Sequence, residues 1–494
     1  MSFSLIVPVR NVNRSAAYML KVRNLKLGCA KMAAFDSSSD SWISNSRPST
    51  WSVISTGICL AAASVFRCNL ERLPQGCRYS FTACKLPARY DMGFAQRRSG
   101  RFGLTKYNHI CPACGSADCR ALPVPHPTRS MISDGSVTGK PLKRSSCTNC
   151  GHGFHFESLS ERDVREIYGD NYSIGLRDTA AEVERSLEYD RQVRGFLADL
   201  GSETHFTKII EFGCGSGTLL NHLTTNLEAE FGIGVEPSAK VAAYASSIAG
   251  ERVSIQQGFA EQFADTAQRD TLCLSVNVIE HASSPLAFLQ ACARTIDETG
   301  RILIVCPDGE AAGSELLFYD HISSFTSRSL ATIAARARLT AIADAPLIGV
   351  LKGFRIYLFR LMATVVGSNC GDFQSLADQR IDYLRTWSKI AGAVDQTLVG
   401  QKYGVFGAGE YCDLLHAYTP AIIEGAMFLV ADRPLEKQLY DKPVISTEEF
   451  LKSAPISLIA AVHERNWRVI HDRFKLASVP IIHPFEVVSQ DALR

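Results

Sequence analysis

A short β-rich run, Ile209 to Phe212, ends abruptly in Gly213-x-Gly215-x-Gly217, and an apolar-periodic segment with Leu219, Leu220 and Leu223 follows at once. Strand, glycine turn and helix in that order is the local grammar of a parallel α/β sheet. Side chains at such a turn would block a ligand lying against the backbone, so the glycines point to a bound small molecule. A second run, Phe231 to Val235, ends in Glu236, 19 residues after Gly217. A carboxylate there can accept hydrogen bonds from both hydroxyls of a ribose. Glycines combined with an acid at the tip of the next strand carry much more weight than either feature alone.

The alternation continues. Strands are predicted over Val253 to Gln257, Thr271 to Val276 and Arg301 to Val305, with a helix over Leu286 to Ile296. This spacing predicts a doubly wound sheet with its ligand at the carboxyl ends of the strands. A dinucleotide site is the competing reading. Against it, no third glycine stands at the spacing that accommodates a pyrophosphate, and no basic residue flanks the turn.

Glu211-Phe-Gly-Cys-Gly-Ser-Gly217, Gly234-Val-Glu-Pro237 and Asn277-Val-Ile-Glu-His281 followed by Pro285-Leu-Ala-Phe-Leu289 resemble the class I S-adenosylmethionine-dependent methyltransferases, over roughly residues 160 to 345. The resemblance implies that Gly213, Gly215 and Gly217 pack under the methionine part and ribose of that cofactor. It also implies that Glu211 helps place the methionine ammonium and that Glu236 takes the ribose hydroxyls. Phe259 and Ala260 would flank the adenine, and Asn277 would line the sulfonium side.

Sixteen cysteines are unevenly placed. Cys111-Pro-Ala-Cys114-Gly and Cys147-Thr-Asn-Cys150-Gly are two Cys-x-x-Cys-Gly knuckles, in which the glycine permits a tight turn that aims both sulfurs at one point. Four thiolates form a closed tetrahedral site suited to structural zinc, with no position left for catalysis. The 32 residues between the pairs predict an inserted hairpin, and Cys119, His152 and His155 are candidate substitute ligands. Five cysteines lie before residue 100, and six single ones fall in predicted strands and helices, where a buried reduced thiol is the default.

The acceptor end is expected after the fifth strand, in Pro307-Asp-Gly-Glu310 and Leu317-Phe-Tyr-Asp-His321-Ile-Ser-Ser-Phe325. An acid and an imidazole adjacent in a loop, Asp320 and His321, could form a base near neutral pH. A zinc module, a class I core and a further α/β domain in this order resemble the sugar C-methyltransferases that act on nucleotide-linked keto-sugars. That family carries Tyr-His-Glu-His where this chain has Phe318, Tyr319, Asp320 and His321. The resemblance implies His321 as the base, with Asp320 a conservative change and Phe318 and Tyr319 departures. It also implies that Tyr172 reaches the active site, where packing on the sheet is the alternative. A structural role suffices for Glu280 and His281, at the start of a helix where a carboxylate complements the dipole.

Farther on, an amphipathic helix is predicted over residues 373 to 396, packing across the core. Tyr403-Gly-Val-Phe-Gly-Ala-Gly-Glu-Tyr411 then repeats the strand, turn, helix logic, and a strand ending near Asp432 follows. Gly407, Gly409 and Asp432 could bind a second nucleotide or could only shape the turn of a small Rossmann-like domain that closes over the acceptor.

The whole chain has 494 residues with 52 basic and 50 acidic side chains, 46% apolar. This composition excludes a disordered chain or a multi-span membrane protein. The balance is uneven, since the first 100 residues carry 14 basic groups against 4 acidic and the rest carry 38 against 46. The resulting organisation is a basic, disordered leader or miscalled start (1–105), a zinc module (106–158), a methyltransferase core (159–370), a linker helix (371–398) and a Rossmann-like domain (399–494). The expected activity is cytoplasmic methylation of a small polar metabolite, a nucleotide-linked sugar, at carbon. O- or N-methylation and a non-catalytic scaffold are the alternatives. No basic stripe with interleaved aromatics suggests nucleic acid, and no segment suggests a membrane.

Overall fold

The computed structural model describes residues 109–494 apart from 158, 169–171, 173–178, 202–204, 264–266, 363–370, 453–455 and 492–494, and before them only 3–6 and 19–22. The chain divides into two compact units, residues 1–101 and 102–494. In the first, β1 (Phe3–Ile6) pairs antiparallel with β2 (Met19–Val22), strands that no periodicity in the sequence announced. The leader reading otherwise lies outside the described residues.

The second unit begins with five short strands: β3 (Cys119–Ala121), β4 (Ser130–Met131), β5 (Val137–Thr138), β6 (Arg144–Cys147) and β7 (Gly153–His155). β4 and β5 form the hairpin expected between the knuckles. The core sheet follows with β8 (Lys208–Phe212), β9 (Phe231–Glu236), β10 (Val253–Gln257), β11 (Thr271–Val276) and β12 (Arg301–Pro307), all parallel to one another. Then come β13 (Ser323–Ser324), β14 (Leu339–Pro346) and β15 (Phe354–Leu361). The sheet order is β10-β9-β8-β11-β12-β15-β14, with β15 antiparallel to both its neighbours. Every residue of β8 is buried, as expected of a central strand covered on both faces. The order reverses between β8 and β11, and the crevice outside their carboxyl ends is where such sheets bind ligands.

β13 leaves the core and completes the four-stranded sheet β13-β7-β6-β3 of the cysteine module, with Ser323 opposite Phe154 and Ser324 opposite Gly153. Two fully buried guanidiniums fasten this join. Arg380 donates to the Gly151 and Gly309 carbonyls at 2.8 Å each and to the Ser146 hydroxyl at 2.9 Å. Arg144 donates to the carbonyls of Phe318 (2.7 Å) and His321. Burial lowers both guanidinium pKa values to about 10, and the buried Glu315 carboxylate works against that loss. Burial in turn pushes Glu315 up to about 7.

The last sheet contains β16 (Tyr403–Phe406), β17 (Leu429–Ala431), β18 (Gln438–Leu439), β19 (Lys442–Ser446), β20 (Ser457–Ala460) and β21 (Ile481–Ile482), in the order β18-β19-β17-β16-β20-β21. It is parallel except for the β18–β19 hairpin. The helix Gln374–Thr397 has the predicted apolar stripe, but that stripe does not cross the methyltransferase sheet. Trp387 on it packs against Tyr411, Tyr418 and Phe485 of the last domain. Its opposite commitment is Arg380, which reaches the cysteine module. No helix among the described residues is long and apolar enough to cross a membrane.

Removing one member of a buried, hydrogen-bonded charge set costs about 3 to 5 kcal/mol. Arg380→Met is therefore expected to lower the thermal unfolding midpoint clearly in a dye-binding melt. Lys452→Met, which breaks only the exposed Lys452–Glu448 pair, should leave it in place.

Candidate active site

The carboxyl ends of β8, β9, β11 and β12 open into a cleft of about 1400 Å³. Its floor is the glycine turn. Gly213 has φ of 69°, and a Cβ there would lie 2.3 Å from Val278 Cγ2, so no other residue fits. A Cβ on Gly215 would meet nothing within 4 Å, so the space above that glycine is open to a ligand. Gly217, φ 73°, starts the helix Thr218–Asn226.

Glu211, on β8, is buried, and its Oε2 has no hydrogen-bond partner. Burial first, and then the nearby Glu182 and Glu236, hold its pKa well above the usual carboxylate range. An orphaned carboxylate of this kind is suited to a cationic group. Glu236, at the tip of β9, accepts from the backbone N–H of Gly215 (3.1 Å) and of Ser238 (3.0 Å). Burial raises its pKa, and those two bonds offset part of the rise. Phe259 is extended, with the Arg165 guanidinium 5.1 Å over its ring, and Ala260 opens the 3₁₀ turn Ala260–Gln262. Asn277 stands just past β11 with φ of 55°. Its Nδ2 donates to the Tyr189 hydroxyl at 3.0 Å, and its Oδ1 has no partner. All eight predicted cofactor residues thus gather around the turn, and seven of them line the cleft; Gly217 lies beneath it. Tyr189, from the helix Thr179–Asp199, was not foreseen.

The other end of the cleft differs from expectation. Asp320 and His321 are adjacent in sequence, but the Asp320 carboxylate does not serve His321. It accepts from the Ser133 N–H (2.9 Å), the Ser133 hydroxyl (2.5 Å) and the Tyr168 hydroxyl (2.6 Å). The Tyr168 oxygen in turn lies 2.5 Å from His281 Nδ1, which is also 3.1 Å from the Asp320 carbonyl. With the phenol proton given to Asp320, Nδ1 of His281 must carry the ring proton, and Nε2 presents a bare lone pair. Asp320 is therefore a positioning group acting through Tyr168.

His321 lines the same wall, its ring edge-on to His281 with centroids 4.6 Å apart. Burial, followed by His281 and Arg144, holds its imidazole well below the usual value, and Nδ1 has no partner. Glu280 is buried, with Oε1 3.9 Å from His281 Nε2 and Oε2 unpartnered. Burial lifts its pKa to about 7. Tyr172 also lines the cleft, but its ring sits edge-on to Tyr168 at 4.7 Å and its carbonyl accepts from Ser238. Tyr168 is the tyrosine that joins the relay. Glu280 and His281 had been read as structural, and they stand at the centre of this wall instead.

Glu410, His463 and Arg465 from the last domain form part of the cleft lining. Asp432 does not. Arg473 takes both its oxygens, at 2.7 and 2.8 Å, and Thr447 donates to it as well, so no acid is left for a second ribose. Gly407 meets the need of its turn, because a Cβ there would lie 2.2 Å from the Ala461 carbonyl oxygen.

Cys111, Cys114, Cys147 and Cys150 converge. Their sulfurs pair at 3.6 Å (Cys111–Cys150 and Cys114–Cys147), close to the ~3.8 Å edge of a tetrahedron with Zn–S bonds of about 2.3 Å. Gly115 and Gly151 both follow their knuckles with φ near +75° (75° and 73°). His152 and His155 are buried among aromatic rings and do not join the sulfurs, whereas Cys119 lies across the ladder from Cys147.

Residues 178–343 match a family model described as a methyltransferase domain. Two curated relatives share the name ubiquinone biosynthesis O-methyltransferase. The one from Azorhizobium caulinodans is 31% identical over 100 residues, which is 20% of this chain and 39% of the relative. The one from Ruegeria pomeroyi is 32% identical over 107 residues, 20% of this chain and 42% of the relative. The chain thus spans less than half the length of these relatives. Among solved structures, TnmH aligns at 19% identity and a TM-score of 0.31, covering 37% of this chain and 56% of that one. The middle of this chain is a class I S-adenosylmethionine-dependent methyltransferase domain.

A cationic group docked on Glu211 requires the carboxyl in its charged form, so its binding releases a proton. Affinity for S-adenosylmethionine measured by calorimetry is then expected to tighten as pH rises through the raised pKa of that carboxyl. Glu211→Gln should abolish this slope and weaken binding by about tenfold or more at the alkaline end.

Proposed function

We propose that this chain transfers the sulfonium methyl group of S-adenosylmethionine to a carbon of a small polar acceptor, a nucleotide-linked keto-sugar, in the cytosol. One observation carries this reading. The Glu280–His281–His321 wall and the Glu211–Gly215–Glu236 cradle open on the same cleft, whose far rim belongs to the last domain.

The cofactor, when bound, supplies a methyl group already activated on sulfur. What remains for the protein is to position the acceptor and remove a proton. Glu211 holds the cationic end of the donor, Glu236 its ribose hydroxyls, and Phe259 with Ala260 its base. The acceptor lies between Tyr172, the histidine wall and Glu410 to Arg465. A proton leaves the carbon beside the keto group for a bare imidazole nitrogen of the His281–His321 pair. That carbon then bonds to the methyl as the sulfur–carbon bond breaks. Asp320, through Tyr168, keeps His281 in the tautomer that can accept the proton. Cys111, Cys114, Cys147 and Cys150 would hold a structural zinc ion, which would brace β6 and β7 and, through them, the loop that carries His321.

The relatives' names favour a second reading in which the same wall ionises a hydroxyl and an oxygen is methylated. Incubation with carbon-labelled S-adenosylmethionine and a panel of keto-sugar nucleotides, read by mass spectrometry and carbon NMR, distinguishes the two. Carbon methylation should give a methyl resonance at aliphatic shift. A methoxy resonance would replace the first reading by the second, and binding without turnover on any acceptor would leave a scaffold.

His281→Asn should lower turnover by about 10²- to 10⁴-fold with cofactor affinity unchanged. Cys147→Ser should release about one zinc ion per chain and speed amide exchange in residues 315 to 326, read by mass spectrometry.

A further inference from the structure

The histidine wall carries more donor capacity than proton removal uses. Glu280 and His321 are buried, yet Glu280 Oε2 and His321 Nδ1 lack any hydrogen-bond partner. His281 Nε2 is left bare by the relay behind it. One ligand atom from each of the three residues lies within 4.8 Å of the other two. Leaving such groups unpaired costs about 1 to 3 kcal/mol each, so two of them beside the lone pair of His281 Nε2 point to a missing common partner.

A partner that accepts electron pairs from two imidazole nitrogens and a carboxylate oxygen is a metal cation. Neighbouring ligands around a cation with bonds of about 2.1 Å stand roughly 3.0 to 3.4 Å apart, so the three side chains would each draw in by up to roughly an ångström to meet one ion. The backing is also of the right kind. A metal-bound histidine is oriented by a hydrogen bond from its other ring nitrogen, ordinarily to a carboxylate or carbonyl. Here Nδ1 of His281 is held by the Tyr168 hydroxyl and the Asp320 carbonyl.

We propose that Glu280, His281 and His321 bind a divalent transition-metal cation of the Mn²⁺, Fe²⁺ or Zn²⁺ class, with its open positions turned to the acceptor. Two histidines and one carboxylate favour these ions over Ca²⁺ or Mg²⁺. This rests on the acceptor placement proposed above and deepens it. The cation binds the acceptor's carbonyl oxygen and draws electron density from the adjacent carbon. With the imidazole lone pairs committed to the metal, the proton-accepting role given above to the His281–His321 pair would pass to a metal-bound hydroxide, which would become bound water. No change of oxidation state is involved.

The test uses the full chain with zinc retained at the cysteines. Mn²⁺ is too hard an ion to replace zinc among four thiolates, so a Mn²⁺ titration followed by electron paramagnetic resonance reports the histidine wall. The expected result is about one tightly bound Mn²⁺ per chain, weakened at least tenfold by Glu280→Gln and by His321→Asn, and about tenfold by Tyr168→Phe. Circular dichroism and the thermal midpoint show whether each variant folds. Should one fail to fold, wild-type Co²⁺ spectra provide the second readout. A weak visible band without thiolate charge transfer supports the site. Absence of Mn²⁺ and Co²⁺ binding outside the thiolates overturns it, as does binding that a folded Glu280→Gln retains. Full turnover after chelation that spares the zinc overturns the metal's role while methyl transfer stands. Failure to bind S-adenosylmethionine overturns the methyltransferase reading whatever the metal result.

Discussion

The architecture depends on two arginines taken out of water. Their hydrogen bonds run chiefly to backbone carbonyls: Arg380 to Gly151 in the second knuckle and Gly309 after β12, and Arg144 to Phe318 and His321 in the loop before β13. Buried guanidiniums are costly unless paired and hydrogen-bonded, and Glu315 is the only carboxylate prominent near both. What they secure is a continuous join. The loop bearing His321 becomes β13, an edge strand of the cysteine module's sheet, and Thr326 at its end donates to the Cys150 carbonyl. The last domain holds the same loop from the other side, where the Tyr418 hydroxyl donates to the Leu317 carbonyl. The module is therefore the scaffold of the histidine wall, and a cation among its sulfurs would act on that wall through β6 and Arg144.

What was legible in the sequence was what is local. Gly213 to Gly217 with Glu211 and Glu236 spans fewer than thirty residues, and each element has its own signature in strand composition, glycine spacing and terminal acid. The knuckles were legible for the same reason, since two residues separate each pair and a glycine follows. The strands over 253–257 and 271–276 fell where the alternation placed them.

The acceptor wall was not legible, because its connections are long. Ser133 and Asp320 are 187 residues apart, Tyr168 and Asp320 are 152 apart, and Tyr168 and His281 are 113 apart. Nothing at any one of these positions announces the others. Adjacency misled instead. Asp320 and His321 are neighbours in sequence, but their side chains serve different partners across the loop. Asp432 misled similarly, because an acid after a second strand suggests a ribose until Arg473, 41 residues on, is found to occupy both its oxygens. The helix Gln374–Thr397 showed its apolar stripe plainly, but a stripe does not say which neighbour will cover it.

Unmet hydrogen-bonding capacity recurs along the cleft. Around β13 both Nη atoms of Arg380 are answered by Ser146, Ser324, Gly151 and Gly309, while its Nε and the Nε and Nη1 of Arg144 keep no partner. In the cleft, Glu211, Asn277, Glu280 and His321 each keep a buried polar atom without a partner. A fold gains nothing from such atoms, because each lowers stability by the cost of its lost hydration. They lie in two groups, one around the glycine turn and one around His281, at opposite ends of a single cleft. The first group suits a ligand with a positive charge and hydroxyls, and the second suits one that needs electron pairs donated to it. Two groups of opposite demand facing one space are what bisubstrate transfer requires: a donor held at one end by its charge, and an acceptor activated at the other.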